Sequence, residues 1–192
     1  MKRLPLALLC PLLFTACSAE VAVETPPQSA SIPVTSVLDP AYVEVAIDLP
    51  EETQGLQVTV KEISADLTVY NPSASFTLET SARLSLQGNA TPETPVFYNK
   101  NSLPSYFAAA GELISARTFA PGSSTPVHVA SSPTLVGVIG KKRIWIIVSN
   151  TVTRAGIGGA LPLEIQLKNA VIHAVVTKSF DGLEGMLGIG GL

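Results

Sequence analysis

The stretch ISADLTVYNPSASFTLETSARLSLQG, residues 63–88, decides the fold. In its first half Ile63, Ala65, Leu67 and Val69 alternate with Ser64, Asp66, Thr68 and Tyr70. In its second half Phe76, Leu78, Ala82, Leu84 and Leu86, with Thr80 among them, alternate with Ser75, Thr77, Glu79, Ser81, Arg83, Ser85 and Gln87. A period of two sends successive side chains to opposite faces of a strand. One dry and one wet face predict antiparallel strands laid over a core. Asn71-Pro72 stops the first run and Gly88-Asn89 stops the second. The four residues Asn71-Pro72-Ser73-Ala74 therefore predict a hairpin connection.

The same alternation extends outward in both directions. Val43, Val45 and Ile47 alternate with Glu44 and Asp48, and Val58 and Val60 continue the theme. Val127 and Val129 flank His128. Leu161, Leu163, Ile165 and Leu167 alternate with Pro162, Glu164, Gln166 and Lys168, and residues 171–176 continue after a bulge or turn at Asn169. Residues 143–149 are β-branched and apolar, with Trp145 among them. A short edge strand is expected at 96–98, a short helix or coil within 103–113, and a loop over 150–159. No helix of more than two or three turns is expected. This spacing of strands and turns predicts an all-β antiparallel β-sandwich over residues 39–178.

Composition narrows the function classes. The chain has 192 residues, enough for one domain. It carries 14% charged residues and a net charge of -3, so it has no basic field with which to gather phosphate backbones, and no nucleic-acid partner is expected. Two His and two Cys leave little material for a metal site, and no cofactor is expected. Gly and Pro together are too many for a helical bundle and follow no collagen period.

The amino end has the layout of a secretion signal. Lys2 and Arg3 precede an apolar run from Leu4 to Phe14, too short to span a bilayer as a helix, and small residues close it. Phe14-Thr15-Ala16-Cys17 resembles the lipobox of bacterial lipoprotein signals, although that family usually has Leu where Phe14 stands. The resemblance implies removal of residues 1–16, lipidation of Cys17 and a membrane partner held through its acyl chains. Plain secretion with cleavage after Ala16 or Ala19, and an uncleaved anchor, remain alternatives. Residues 17–38 contain Pro26-Pro27 and Pro33 and no clear period. They are expected to form a linker, with an edge strand near 32–37 as the alternative.

A second resemblance rests on the opening stretch. An apolar strand ending in Asn71-Pro72, a second strand and a closing Gly88 look like the late-embryogenesis-abundant type 2, or water-stress and hypersensitive-response, domain. Pro121-Gly122-Ser123 followed by residues 125–130 resembles that family's later turn and strand, while Ser73 departs from the Asn that often follows the pair. The resemblance implies a fibronectin III or immunoglobulin-like sandwich fold, no catalytic residues, and a role in stress protection or envelope maintenance.

The chemistry-bearing residues are few. His128 and His173 are the only imidazoles. A metal or acid–base role requires them to converge with Glu44, Asp66 or Glu164, whereas each sits singly on an alternating strand and reads as exposed. Gly156-Ile157-Gly158-Gly159 lacks the Lys and Ser/Thr of a phosphate loop, and Ser123 and Ser124 have no evident base. Lys141, Lys142 and Arg143 form the one basic cluster, a candidate surface contact or a solvated turn before a buried strand. Trp145 is expected in a core, because Ile147 shares its face. Tyr98, Tyr106 and Phe107 pack or line a groove. The tail, 179–192, carries Phe180, Leu183, Met186, Leu187, Ile189 and Leu192 between glycines. It is expected to cover a sheet edge, to contact an envelope protein or lipid, or to be disordered. The whole suggests a non-enzymatic cell-envelope lipoprotein, structural or stress-protective; a small-molecule or lipid-binding envelope lipoprotein is the alternative, and an enzyme stands third.

Overall fold

The computed structural model describes residues 18–34, 41–51, 54, 58–155 and 161–179. Among the described residues ten strands are formed: β1 (Ser18–Glu24), β2 (Gln28–Val34), β3 (Ala41–Asp48), β4 (Thr59–Tyr70), β5 (Phe76–Ser85), β6 (Val96–Tyr98), β7 (Gly111–Phe119), β8 (Ser124–Val129), β9 (Arg143–Ala155) and β10 (Leu163–Ser179). They make two five-stranded antiparallel sheets packed as a sandwich. Sheet A runs β1-β10-β4-β8, with β2 also paired to β10; sheet B runs β6-β3-β9-β5-β7.

The alternating faces meet as the periodicity requires. Ile63, Ala65, Leu67 and Val69 of β4 are buried, and so are Leu78, Ala82 and Leu84 of β5 and Ile144, Ile146 and Val148 of β9. They belong to one contiguous core. At the sandwich end a one-turn helix, α1 (Pro133–Val136), drops Leu135 into that core. Ser132 caps the helix, accepting the Leu135 N–H at 3.1 Å, and Pro133 fills a first-turn position that needs no donor.

The expected hairpin at 71–74 is instead an arch. β4 pairs with β10 and β8 in sheet A, whereas β5 pairs with β9 and β7 in sheet B. The chain therefore changes sheets at Asn71-Pro72. It changes back between β7 and β8, and the two crossings lie side by side. Asn71 fastens them together. Its fully buried side-chain amide donates to Phe76 O at 2.9 Å, Phe119 O at 3.2 Å and Ala120 O at 3.1 Å. Its Oδ1 accepts from the Ser73 N–H, and Gly122 N–H donates to Ser73 O at 2.8 Å.

Residues 17–38, expected as a linker, hold β1 and β2. Ser18 to Glu24 pair residue by residue with Ser179 to His173, and residues 28–34 pair with the first half of β10. β1 and β2 divide the 17 residues of β10 between them, and β10 bulges near Asn169, which takes φ 52 where the partner changes. The Val21 and Val23 alternation in β1 was masked at the level of sequence by the surrounding prolines and small residues. The loop expected from 150 begins later, because β9 continues to Ala155 against β5. The leader 1–16, Cys17, Gly156 to Gly159 and the tail beyond Ser179 lie outside the described residues.

The outer face of sheet B carries a third layer made by residues 86–110. Glu44, Ser85 and Ile147 point away from the core, yet all three are buried beneath it. The layer contains β6, which extends the edge of β3, and a 3₁₀ turn over Ser105–Ala109.

Candidate functional site: an imidazole–carboxylate row on sheet A

Both imidazoles converge on one carboxylate. His128 Nδ1 lies 2.8 Å from Asp66 Oδ1, and His173 Nε2 lies 3.3 Å from Asp66 Oδ2. His173 Nδ1 lies 3.0 Å from Glu24 Oε1. The row crosses four strands: Glu24 on β1, His173 on β10, Asp66 on β4 and His128 on β8. Register explains it. Glu24 stands directly opposite His173, and Asp66 directly opposite His128. His173 faces Ser64 and reaches Asp66 on the diagonal, a distance long side chains span. The bulge near Asn169 brings His173 to the outer face after Leu167 has used the odd positions for the core. Reading each imidazole alone on its strand therefore has the exposure right and the isolation wrong. What was missing was strand order, which places 24, 66, 128 and 173 in one line.

The row lies on an open surface. The side chain of His128 is 63% exposed and that of His173 is 37% exposed. A shallow groove of about 230 Å³ runs beside His173, bordered by Glu24, Glu62 and Ser64. A second, of about 300 Å³, lies across the bulge between Ser29, Ser31, Gln166 and Lys168. Farther along the same face Lys168 Nζ sits 4.1 Å from the centre of the Tyr70 ring. Lys61 is paired with Glu20, whose carboxylate raises the lysine's pKa. Among the described residues no group of three or more His, Cys, Asp or Glu side chains is arranged to hold a metal ion.

The other sequence candidates lie elsewhere. Glu44 is buried under the third layer, and Oε1 accepts from Asn89 N–H at 2.5 Å and Ala90 N–H at 2.7 Å. Tyr106 donates to Oε2 at 2.6 Å, and the Tyr98 hydroxyl lies 3.4 Å from the same oxygen. Burial, then the bond to Glu44, pushes the Tyr106 hydroxyl far above its usual pKa. Trp145 does share a face with Ile147, but that face is covered by residues 86–110 rather than by the opposite sheet; its indole N–H donates to Ala90 O at 3.0 Å. Phe107 meets Tyr42 edge-on at 5.6 Å and lies under the Arg83 guanidinium. Arg143 of the basic cluster forks onto Asp48, with contacts of 2.5 and 3.1 Å, and its guanidinium holds the Asp48 carboxyl below the usual range. Lys141 and Lys142 remain exposed in the preceding turn.

The apolar space between the sheets is small. A cavity of about 70 Å³ lies inside the β10 bulge, lined by Ala30, Leu67, Leu84, Leu135, Ile146 and Ala170 among others. Sites for small ligands run to about 300–1,000 Å³. Tyr98, Phe107 and Trp145 do not border it. At about 70 Å³ this cavity is too small for the ligand of the small-molecule or lipid-binding alternative.

No family model matches the chain, and no curated protein matches it. The late-embryogenesis-abundant resemblance is therefore withdrawn. Its Asn-Pro signature has a local explanation, since Asn71 is the buried fastener of two sheet crossings. The lipoprotein reading goes with it, as do the envelope stress-protective function and its lipid-binding alternative. The tether it requires after Cys17 is a paired strand from Ser18 onward. Among the described residues no helix is long and apolar enough to cross a membrane. Some solved structures are similar at low level. A chain in the structure of infectious bursal disease virus, Gx strain, is 11% identical with a TM-score of 0.38, covering 95% of this chain and 39% of that one. The Gt strain is 10% identical with a TM-score of 0.37, covering 95% and 38%. Tailspike protein 4 of bacteriophage CBA120, in its enzymatically active domain, is 10% identical with a TM-score of 0.25, covering 81% and 19%. This chain thus spans about two-fifths of the two virus chains and less of the tailspike.

Proposed function

We propose that the chain is a non-catalytic recognition module that binds a neutral, hydroxyl-rich ligand of the saccharide type across the outer face of sheet A. The observation that carries this reading is the sharing of Asp66 by His128 and His173. The row presents hydrogen-bond acceptors and donors in alternation at strand spacing, and the grooves beside it add Ser64, Gln166 and Lys168. Mixed donors and acceptors suit a ligand whose hydroxyls do both jobs. A single-sign patch would suit a polyion instead. The imidazoles are too exposed for the water exclusion that strengthens acid–base catalysis, which favours binding over reaction.

The test is an immobilised oligosaccharide array probed with the full chain and with a His128→Ala/His173→Ala variant. A saccharide retained by the parent chain and lost by the variant supports the reading. No retained saccharide, or equal retention by both proteins, overturns it.

A further inference from the structure

We infer that β1 is a self-pairing edge, at which a second copy of this chain adds its own β1 antiparallel and centred on Val21. An unpaired edge strand offers a row of free backbone N–H and C=O groups, and folded proteins blunt such edges. Among the described residues β1 is paired on one side only, and the other edges are blunted. β2 carries Pro33 and lies against β3. β8 carries Pro126. β7 bulges between Ile114 and Arg117 where it leaves the register of β5. β6 has three residues. β1, with the sequence SAEVAVE, has seven residues in unbroken register with β10 and contains no Pro, no Lys and no bulge.

The sequence of β1 suits a twofold axis through its middle residue. Pairing about Val21 sets Ser18 opposite Glu24, Ala19 opposite Val23, and Glu20 opposite Ala22. No carboxylate faces a carboxylate. Odd residues meet odd and even meet even, so backbone groups that point away from β10 point toward each other. Such an interface is isologous and closes as a dimer. Val21, 50% exposed, gains a Val21 partner on one face. On the other face Glu20 is already neutralised by Lys61 of its own chain. Backbone pairing at an open edge is a general mode of recognition, and here the strand that fits the edge is its own copy.

The full chain with Cys10→Ser and Cys17→Ser, which removes both native cysteines, is the starting protein. Analytical ultracentrifugation is expected to give twice the chain mass, and Val21→Lys is expected to return it to the single-chain mass with an unchanged circular dichroism spectrum. Val21→Cys is expected to cross-link to itself under mild oxidation by copper phenanthroline, since paired Cα atoms across a ladder stand about 4.5–5.5 Å apart, within disulfide reach. Glu20→Cys, offset from its own copy, is expected to cross-link at least tenfold more slowly. A single-chain mass at every concentration overturns the inference. So does a dimer indifferent to Val21→Lys, or equal cross-linking at 20 and 21.

Discussion

Tyr106 donates its hydroxyl hydrogen to Glu44 Oε2 at 2.6 Å, across 62 residues of sequence, and so closes the third layer over sheet B. Glu44 is fully buried and also accepts two backbone N–H groups. A carboxylate taken from water is tolerated only with such a complete set of donors. Glu44→Gln keeps the shape, removes the charge and places an amide donor where only acceptors fit. We expect a loss of about 2–3 kcal/mol in urea unfolding, with the damage centred on residues 86–110 in hydrogen exchange.

The same contact sets an alkaline limit. Burial, reinforced by Glu44, holds Tyr106 protonated above the usual tyrosine value of about 10. A raised folded pKa contributes stability that is present below the unfolded value and lost as pH rises through the folded one. Ultraviolet titration of the folded chain should show Tyr106 ionising late, and Glu44→Gln should bring that ionisation to lower pH.

Gly88 is a second support of the third layer. A Cβ built there would lie 2.2 Å from the Trp145 ring, and the indole is itself tied to Ala90 O. Gly88→Ala must displace a rigid ring. We expect a destabilisation of about 1–3 kcal/mol, together with a shift in Trp145 fluorescence, the chain having a single Trp.

Asn71 makes the strongest case for a single side chain holding the sandwich together. Asn71→Ala strips one donor group from three carbonyls, two of them in the neighbouring crossing. We expect about 2–4 kcal/mol of lost stability in thermal or urea unfolding. Asn71→Asp keeps the volume but supplies no amide hydrogens, so it should fare no better than alanine.

Asp48 and Arg143 form a pH-sensitive tie between β3 and β9, directly opposite in register. The side-chain bond to Arg143 lowers the Asp48 pKa. Its stabilising contribution is therefore present above the unfolded carboxylate value of about 3.9 and lost as pH falls through the lower folded value. Arg143→Gln should raise the Asp48 pKa toward the ordinary value in a carboxyl NMR titration. The pair is exposed, so the change in overall stability should be small.

Strand periodicity was readable wherever one face is wet. β3, β4, β5 and β8 follow directly from their alternation, and of the bulge or turn expected at Asn169 the structure has the bulge. Sheet membership was not readable, because the turn at Asn71-Pro72 has the same chemistry whether the chain folds back beside itself or crosses to another layer. The burial of Glu44 was also hidden. Its alternation with Val43 and Val45 marks it as pointing outward, and only the fold of residues 86–110 puts a roof above it. The row on sheet A suffered likewise, since each of its members is locally an ordinary exposed polar residue. In β1 the alternation of Val21 and Val23 is weak, because Ala19 and Ala22 are small and Pro26-Pro27 follow at once.

Ser18 and Ser179 stand paired at one end of the β1–β10 ladder. Residues 18 and 179 thus stand one strand spacing apart. Tension applied between these two residues would fall on the Ser18–Ser179 pair first and then on each following pair in turn. The β1–β10 ladder would open like a zipper instead of resisting as a sheared bundle of bonds.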